Sequence, residues 1–313
     1  MNKEKKTTKR FNKRTNRAMD KLTPKEVEDT VLDDFGFKKS PVDIDEYLID
    51  ICSKSLPSFS KAEISEEILS NLDSYVSRLE DKQRELEKSG RFPPFKVYPD
   101  RGILVGFSHV KRSDSKRKER IREIAPLHSD VLSSLRDITP DQLESLCAKT
   151  MALIGSRHAH KTKRTSDGGI DFFSRLSLSG NSGGFFDISD FESDFKVSIV
   201  GQAKAYSSGN SVSTNEIREL VGSFAMFDFA KTTGLDHPSD IRSEHRLCDP
   251  AIPVFMTTGD YTRDSVREAE KYGVILKDGS QIATFLCLRE VGFTEIGNSI
   301  NFELSLMEEW LEQ

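Results

Sequence analysis

From Val197 to Lys204 apolar and polar residues alternate, with Val197, Ile199 and Ala203 on one side of a strand and Val200, Gln202 and Lys204 on the other. Ile170–Phe173 reads as a second strand, entered through Gly168-Gly169, where a backbone can bend sharply. Helical periodicity surrounds this pair. Thr139-Pro140-Asp141-Gln142 predicts a capped helix start with proline at the first position. Leu143, Leu146, Cys147, Met151 and Ile154 then mark its buried stripe, and Gly155 closes it. Ser213-Thr214-Asn215-Glu216 predicts another capped helix, bearing Ile217, Leu220, Val221, Phe224 and Phe227. Further on, the pattern predicts a strand at Ile252–Thr258 and a helix over Thr262–Tyr272 with Val266 and Ala269 inward. A short strand at Val274–Leu276 and a helix over Ser280–Leu288 follow, while Gly180–Asp194, rich in Gly, Ser and Asp, reads as a long hairpin excursion.

Upstream, Thr23-Pro24-Lys25-Glu26 is a capping box. Ser60–Leu86 reads as one helix with Ile64, Ile68, Leu72, Tyr75, Val76 and Leu79 near a single stripe, stopped by Gly90 and Pro93-Pro94. Ile103–Val110 reads as a strand. The tail ends in Met307–Leu311, which either packs back or meets a second copy. These patterns divide the chain into a basic arm at 1–22, expected to be disordered, an N-terminal domain of unknown type at 23–130, and a second domain at 131–313 entered through Asp130–Asp141.

Composition narrows the class. At 313 residues the chain suits two domains of roughly 100–200 residues each. With 36% hydrophobic and 31% charged residues and a mean hydropathy of −0.50, it reads as soluble. No apolar run approaches the roughly 18 residues needed to cross a bilayer, so neither a membrane span nor a membrane partner is expected. Four scattered cysteines (Cys52, Cys147, Cys248, Cys287) fit reduced thiols in the cytoplasm. The net charge of −5 hides an asymmetry: residues 1–130 carry 28 Lys+Arg against 24 Asp+Glu, residues 131–313 carry 18 against 27. Nine basic residues fall within 1–21 and seven within 111–122. Such clusters either hold a phosphate backbone or form solvated faces.

The candidate chemistry sits on the two central strands. Asp171 opens one; Gln202 and Lys204 project from the same side of the next. A carboxylate facing an amide and an ammonium suits a hard divalent cation with a lysine beside it. Two histidines separated by one residue, His158 and His160, have no third metal ligand at a useful spacing, and His237, His245 and Cys248 match no strong zinc pattern.

Asp171 followed by Gln202-Ala203-Lys204 resembles the PD-(D/E)xK nuclease superfamily, and in detail the Mrr-like restriction endonuclease family, where Gln replaces the usual acid. Ile217-Arg218-Glu219-Leu220-Val221-Gly222 and Thr257-Thr258-Gly259 extend the resemblance over about residues 140–288. It implies an α/β fold, a restriction-endonuclease-like mixed sheet flanked by helices, beside a separate, mainly helical N-terminal region. It also implies catalytic roles for Asp171, Gln202, Lys204 and Glu144, with Asp171, Gln202 and the Ala203 backbone carbonyl holding Mg²⁺, or Mn²⁺ in its place.

The function so implied is Mg²⁺-dependent hydrolysis of double-stranded DNA in restriction or anti-phage defence. Basic lips of Arg157, His160, Lys161, Lys163 and Arg164, and of Lys111, Arg112, Lys116, Arg117 and Lys118, would guide the phosphodiester. Cutting two strands with one site per chain suits a homodimer or higher oligomer, and the N-terminal region suits a defence partner protein. Two other readings stay open: a nuclease core that no longer cuts and serves as a nucleic-acid-binding or regulatory module, and an RNA-directed nuclease on the same fold.

Overall fold

In the computed structural model, Thr23 accepts from the Glu26 amide while the Glu26 carboxylate takes the Thr23 amide, and Pro24 opens helix α1 (Pro24–Asp34). The structure describes residues 22–156, 158–162, 169–177, 196–207, 209–233, 248–297 and 299–313. Two compact units divide between Lys111 and Arg112.

The first unit is mainly helical. After α1 come β1 (Val42–Asp43), α2 (Ile44–Ser55), α3 (Lys61–Ser70), α4 (Leu72–Lys88), β2 (Phe95–Tyr98) and β3 (Ile103–Gly106). The strands form an antiparallel sheet in the order β1-β3-β2. The helix expected from Ser60 to Leu86 is two helices. Asn71 interrupts it: its side-chain amide donates to the Glu67 carbonyl, an alternative to helical bonding that asparagine commonly offers. The apolar stripe survives the break, with Ile64, Ile68, Tyr75 and Leu79 all buried against Val31, Leu48, Phe95 and Leu104. The strand expected to reach Val110 stops at Gly106, whose amide turns to the Lys39 carbonyl.

The second unit is built on a five-stranded mixed sheet. In chain order it holds α5 (Lys116–Ile124), α6 (His128–Asp137), α7 (Pro140–Leu153), β4 (His160–Lys161), β5 (Phe172–Ser177), β6 (Lys196–Lys204), β7 (Ser211–Val212), α8 (Thr214–Thr233), β8 (Ala251–Thr257), β9 (Asp260–Tyr261), α9 (Arg263–Tyr272), β10 (Ile275–Lys277), α10 (Gly279–Leu288), β11 (Phe293–Ile296), β12 (Ser299–Phe302) and α11 (Leu304–Glu312). Strand order is β10-β8-β6-β5-β4; β4, β5 and β6 run antiparallel, and β6, β8 and β10 parallel. Helices α8 and α9 make the crossovers that parallel neighbours require. The expected mixed sheet with flanking helices is therefore present.

Packing follows the sequence stripes with two exceptions. Leu143, Leu146, Cys147 and Met151 of α7 are buried, and this helix lies along β4, β5 and β6. Ile154, expected on the same stripe, is 43% exposed because α7 ends at Leu153 and the chain turns away. In α9 Ala269 is buried as expected, but Val266 is 37% exposed and Ser265, one turn before Ala269, takes the inward place. Ile217, Leu220 and Phe227 of α8 cover the sheet face that carries Phe173, Val200 and Phe255. The C-terminal tail packs back: Met307 and Leu311 are buried, α11 contacts α7, and the Lys149 ammonium sits 5.2 Å from the Trp310 ring centroid. Asp130–Asp141 is largely helical, as α6, which packs on α10. Among the described residues no helix is long and apolar enough to cross a membrane. All four cysteines are free, and only Cys248 is exposed.

Candidate active site

Phe172 pairs with Gly201, and extending that antiparallel register sets Asp171 across from Gln202. Cross-strand partners share a face, so Asp171, Gln202 and Lys204 lie on one side of the sheet. The hydrogen bonds agree. The Asp171 amide donates to the Gly201 carbonyl at 2.8 Å, and Asp171 Oδ2 accepts from the Ala203 amide at 2.7 Å. Thr162 anchors the approach, its amide donating to the Asp171 carbonyl at 3.0 Å.

Two glycines make this closeness possible. A Cβ on Gly201 would fall 1.9–2.3 Å from atoms of the buried Phe172 ring. Gly169 adopts φ +89°, and a Cβ there would meet Ser223 Oγ at 2.8 Å and Gln202 Nε2 at 3.9 Å. Gln202 itself is 5% exposed, and its Oε1 has no hydrogen-bond partner among the described residues. A buried acceptor left unsatisfied is costly, and a cation or a donor from substrate would satisfy it.

Glu144 is half-buried on α7, one turn before the fully buried Cys147. Burial pushes the Cys147 thiol well up, and the negative charges of Asp171 and Glu144 push it further, so both carboxylates are in its neighbourhood. Among the described residues no three His, Cys, Asp or Glu side chains group to hold a metal. An ion here would depend on one aspartate and neutral oxygens such as Gln202 Oε1. Those are hard donors, the kind that Mg²⁺ and Mn²⁺ accept, so the residues fit.

Lys204 ends β6, with its carbonyl accepting from the Thr257 hydroxyl at 2.8 Å. Just beyond it, the Tyr206 phenol donates to Glu216 Oε1, and Glu216 Oε2 accepts from the Ser213 amide at 2.8 Å. Burial raises the Glu216 carboxyl, but the Ser213 and Tyr206 hydrogen bonds and the positive charge of Lys204 outweigh it and leave it below its usual range. The bond to Glu216, with burial adding, pushes the Tyr206 phenol up to about 12. Sequence reasoning found Glu216 only as a helix-capping residue and missed Ser223 altogether. The cap was the one signal available, since a contact with Tyr206 across a loop leaves no periodic trace.

The candidate basic contacts are less uniform than their sequence. Lys161 pairs with Asp141 at 2.8 Å, and the His160 ring sits 5.7 Å from that of Phe173, its Nε2 buried and without a hydrogen bond among the described residues. Arg157, Lys163 and Arg164 lie outside the described residues, as do Ser166–Gly168, Gly180–Asp194, His237 and His245. Lys111 stacks 3.9 Å from the Tyr98 ring centroid. Arg112, Lys116, Arg117 and Lys118 are exposed, whereas Arg120 pairs with Glu290 and Glu295, and Arg122 is buried against Asp114 at 2.8 Å. Part of that basic run is thus structural.

Residues 135–234 match the family model of the Mrr catalytic domain, described as a restriction endonuclease. No curated protein matches the chain. Among solved structures, it is similar to the MspJI restriction endonuclease in complex with a 27-mer oligonucleotide, at 20% identity over 57% of this chain and 35% of that one, TM-score 0.34. It is also similar to the DNA modification-dependent restriction endonuclease AspBHI, at 16% identity over 65% and 43%, TM-score 0.37. For the restriction endonuclease FokI bound to DNA the figures are 11%, 84% and 44%, TM-score 0.33. The chain spans less than half the length of each of these. Identification rests on the family match, whose span takes in Glu144, Asp171, Gln202 and Lys204. At residues 135–234 the chain is similar to the restriction endonuclease domain of the Mrr catalytic family.

Proposed function

We propose that this protein is a Mg²⁺-dependent endonuclease that hydrolyses phosphodiester bonds in double-stranded DNA, acting in the cytoplasm in restriction or defence against foreign DNA. The observation that carries this reading is Asp171 Oδ2 docked on the Ala203 amide at 2.7 Å, between Gln202 and Lys204 on one strand. A divalent cation, when bound, neutralises charge on the phosphate and makes a water molecule more acidic. Asp171, Gln202 Oε1 and the Ala203 carbonyl would hold it. Lys204 places a positive charge where the phosphate gathers negative charge during attack. Glu144 orients the attacking water as a hydrogen-bond acceptor. Arg112, Lys116, Arg117 and Lys118, all exposed, contribute phosphate contacts.

Cutting both strands from one site per chain calls for a homodimer or higher oligomer. The first unit then serves recognition, regulation or the binding of a defence partner. Incubation of plasmid with purified protein and Mg²⁺ tests the reading. Wild type should nick and linearise DNA, chelation should stop it, and Asp171→Ala and Lys204→Ala should each lower the rate by about 10²-fold or more. Equal cutting by wild type and both variants would overturn it. Salt-sensitive DNA binding without cutting would point instead to a binding module, and preferential digestion of RNA to a different substrate. Parallel digestion of methylated and unmethylated plasmid reads out any dependence on modification.

A further inference from the structure

The end of β6 is tied down more thoroughly than the sheet requires. The Tyr206 amide donates to the Thr258 hydroxyl at 2.7 Å, and that hydroxyl donates back to the Tyr206 carbonyl at 3.0 Å. The Thr257 hydroxyl donates to the Lys204 carbonyl at 2.8 Å and accepts from the Gly259 amide at 3.1 Å. Beyond the backbone, the Tyr206 ring packs against the cluster of Val212, Ile217, Leu220 and Phe255, and its phenol reaches Glu216. Glu216 is held in turn by the Ser213 amide and hydroxyl, at 2.8 and 3.0 Å. One residue, Ala205, separates Lys204 from Tyr206, so tilting the phenol moves the strand end that carries the ammonium.

We propose that Tyr206 and Glu216 are positioning residues for phosphodiester cleavage, a tyrosine–carboxylate strut from α8 that fixes the Lys204 end of β6 at the reacting phosphate. This rests on the nuclease reading above. Thr258 completes the strut on the β8 side. None of the three touches the substrate. Their contribution is to remove freedom from Lys204, and misplacing a catalytic group by about 1 Å costs up to about 10²-fold in rate.

A double-mutant cycle under single-turnover conditions tests it, alongside DNA affinity and thermal melting. Tyr206→Phe and Glu216→Ala should each slow cutting at saturating DNA by about tenfold while DNA affinity stays within about twofold. The double variant should be no slower than Glu216→Ala alone, because that variant has already removed the phenol–carboxylate bond that Tyr206→Phe breaks. Losses that multiply, losses that appear in affinity instead of rate, or a Tyr206→Phe enzyme that cuts at the wild-type rate would each overturn the strut. A wild-type protein that cuts nothing would defeat the nuclease reading instead. Hydrogen exchange over 203–206 then decides the strut independently: faster exchange in Tyr206→Phe upholds it, and unchanged exchange overturns it.

Discussion

Gly201 shows how one missing side chain sets the site. The Phe172 ring occupies the space beside its Cα, which lets β5 approach β6 closely enough for the Asp171 carboxylate to reach the Ala203 amide. Phe172 is fully buried, so the ring has nowhere to go. Gly201→Ala should therefore destabilise the protein by about 1–3 kcal/mol, the usual cost of overpacking, measured by denaturant unfolding. Cleavage should fall with it, and Phe172→Leu in the same chain should recover part of both. A Gly201→Ala protein as stable as wild type would show that the ring yields at little cost.

At the scale of elements, helix starts are where local sequence and structure agree best. Thr139 and Gln142 exchange side-chain and backbone bonds around Pro140, and α7 begins there. The helix carries Glu144 and supports β4, β5, β6 and α11. Thr139→Ala should lower stability by about 1 kcal/mol, the typical loss of a side-chain cap, and Thr139→Ser should not. Denaturant melts of the two variants check this. Agreement was poorer in helix interiors. Asn71 splits a stripe that periodicity carries straight through, because its side chain bonds the Glu67 carbonyl, and in α9 Ser265, bonded to Thr262, is buried while Val266 is 37% exposed.

Outside the basic arm at 1–21, the whole molecule is two units that both carry a net negative charge. Residues 22–111 carry 13 Lys+Arg against 18 Asp+Glu, and residues 1–21 carry nine against two. Residues 112–313 carry 24 against 31, so outside that arm both units repel phosphate at long range and DNA affinity should come from local basic clusters. The second unit has its own cores and its own sheet. A fragment comprising residues 112–313 should unfold in one cooperative transition and retain metal-dependent cutting of plasmid, with cleavage and circular dichroism as the measurements. A fragment that fails to fold would show that the first unit is part of the second unit's stability.

The sequence by itself determined the central strands and main helices around the candidate site and the order of its candidate residues: alternation put Gln202 and Lys204 on one face, capping boxes placed the starts of α7 and α8, and the Gly-Gly turn put Asp171 at a strand entry. These signals are local, since strand parity and helix caps involve residues a few positions apart. Only the tertiary structure decided that Asp171 rests on the Ala203 amide, that Gln202 Oε1 is buried without a partner among the described residues, and that Arg120 and Arg122 belong to ion pairs. It alone joined Tyr206 to Glu216 across a loop. Such contacts depend on strand register and helix docking, which are set by burial summed over the whole core and leave no periodic mark on the residues that meet.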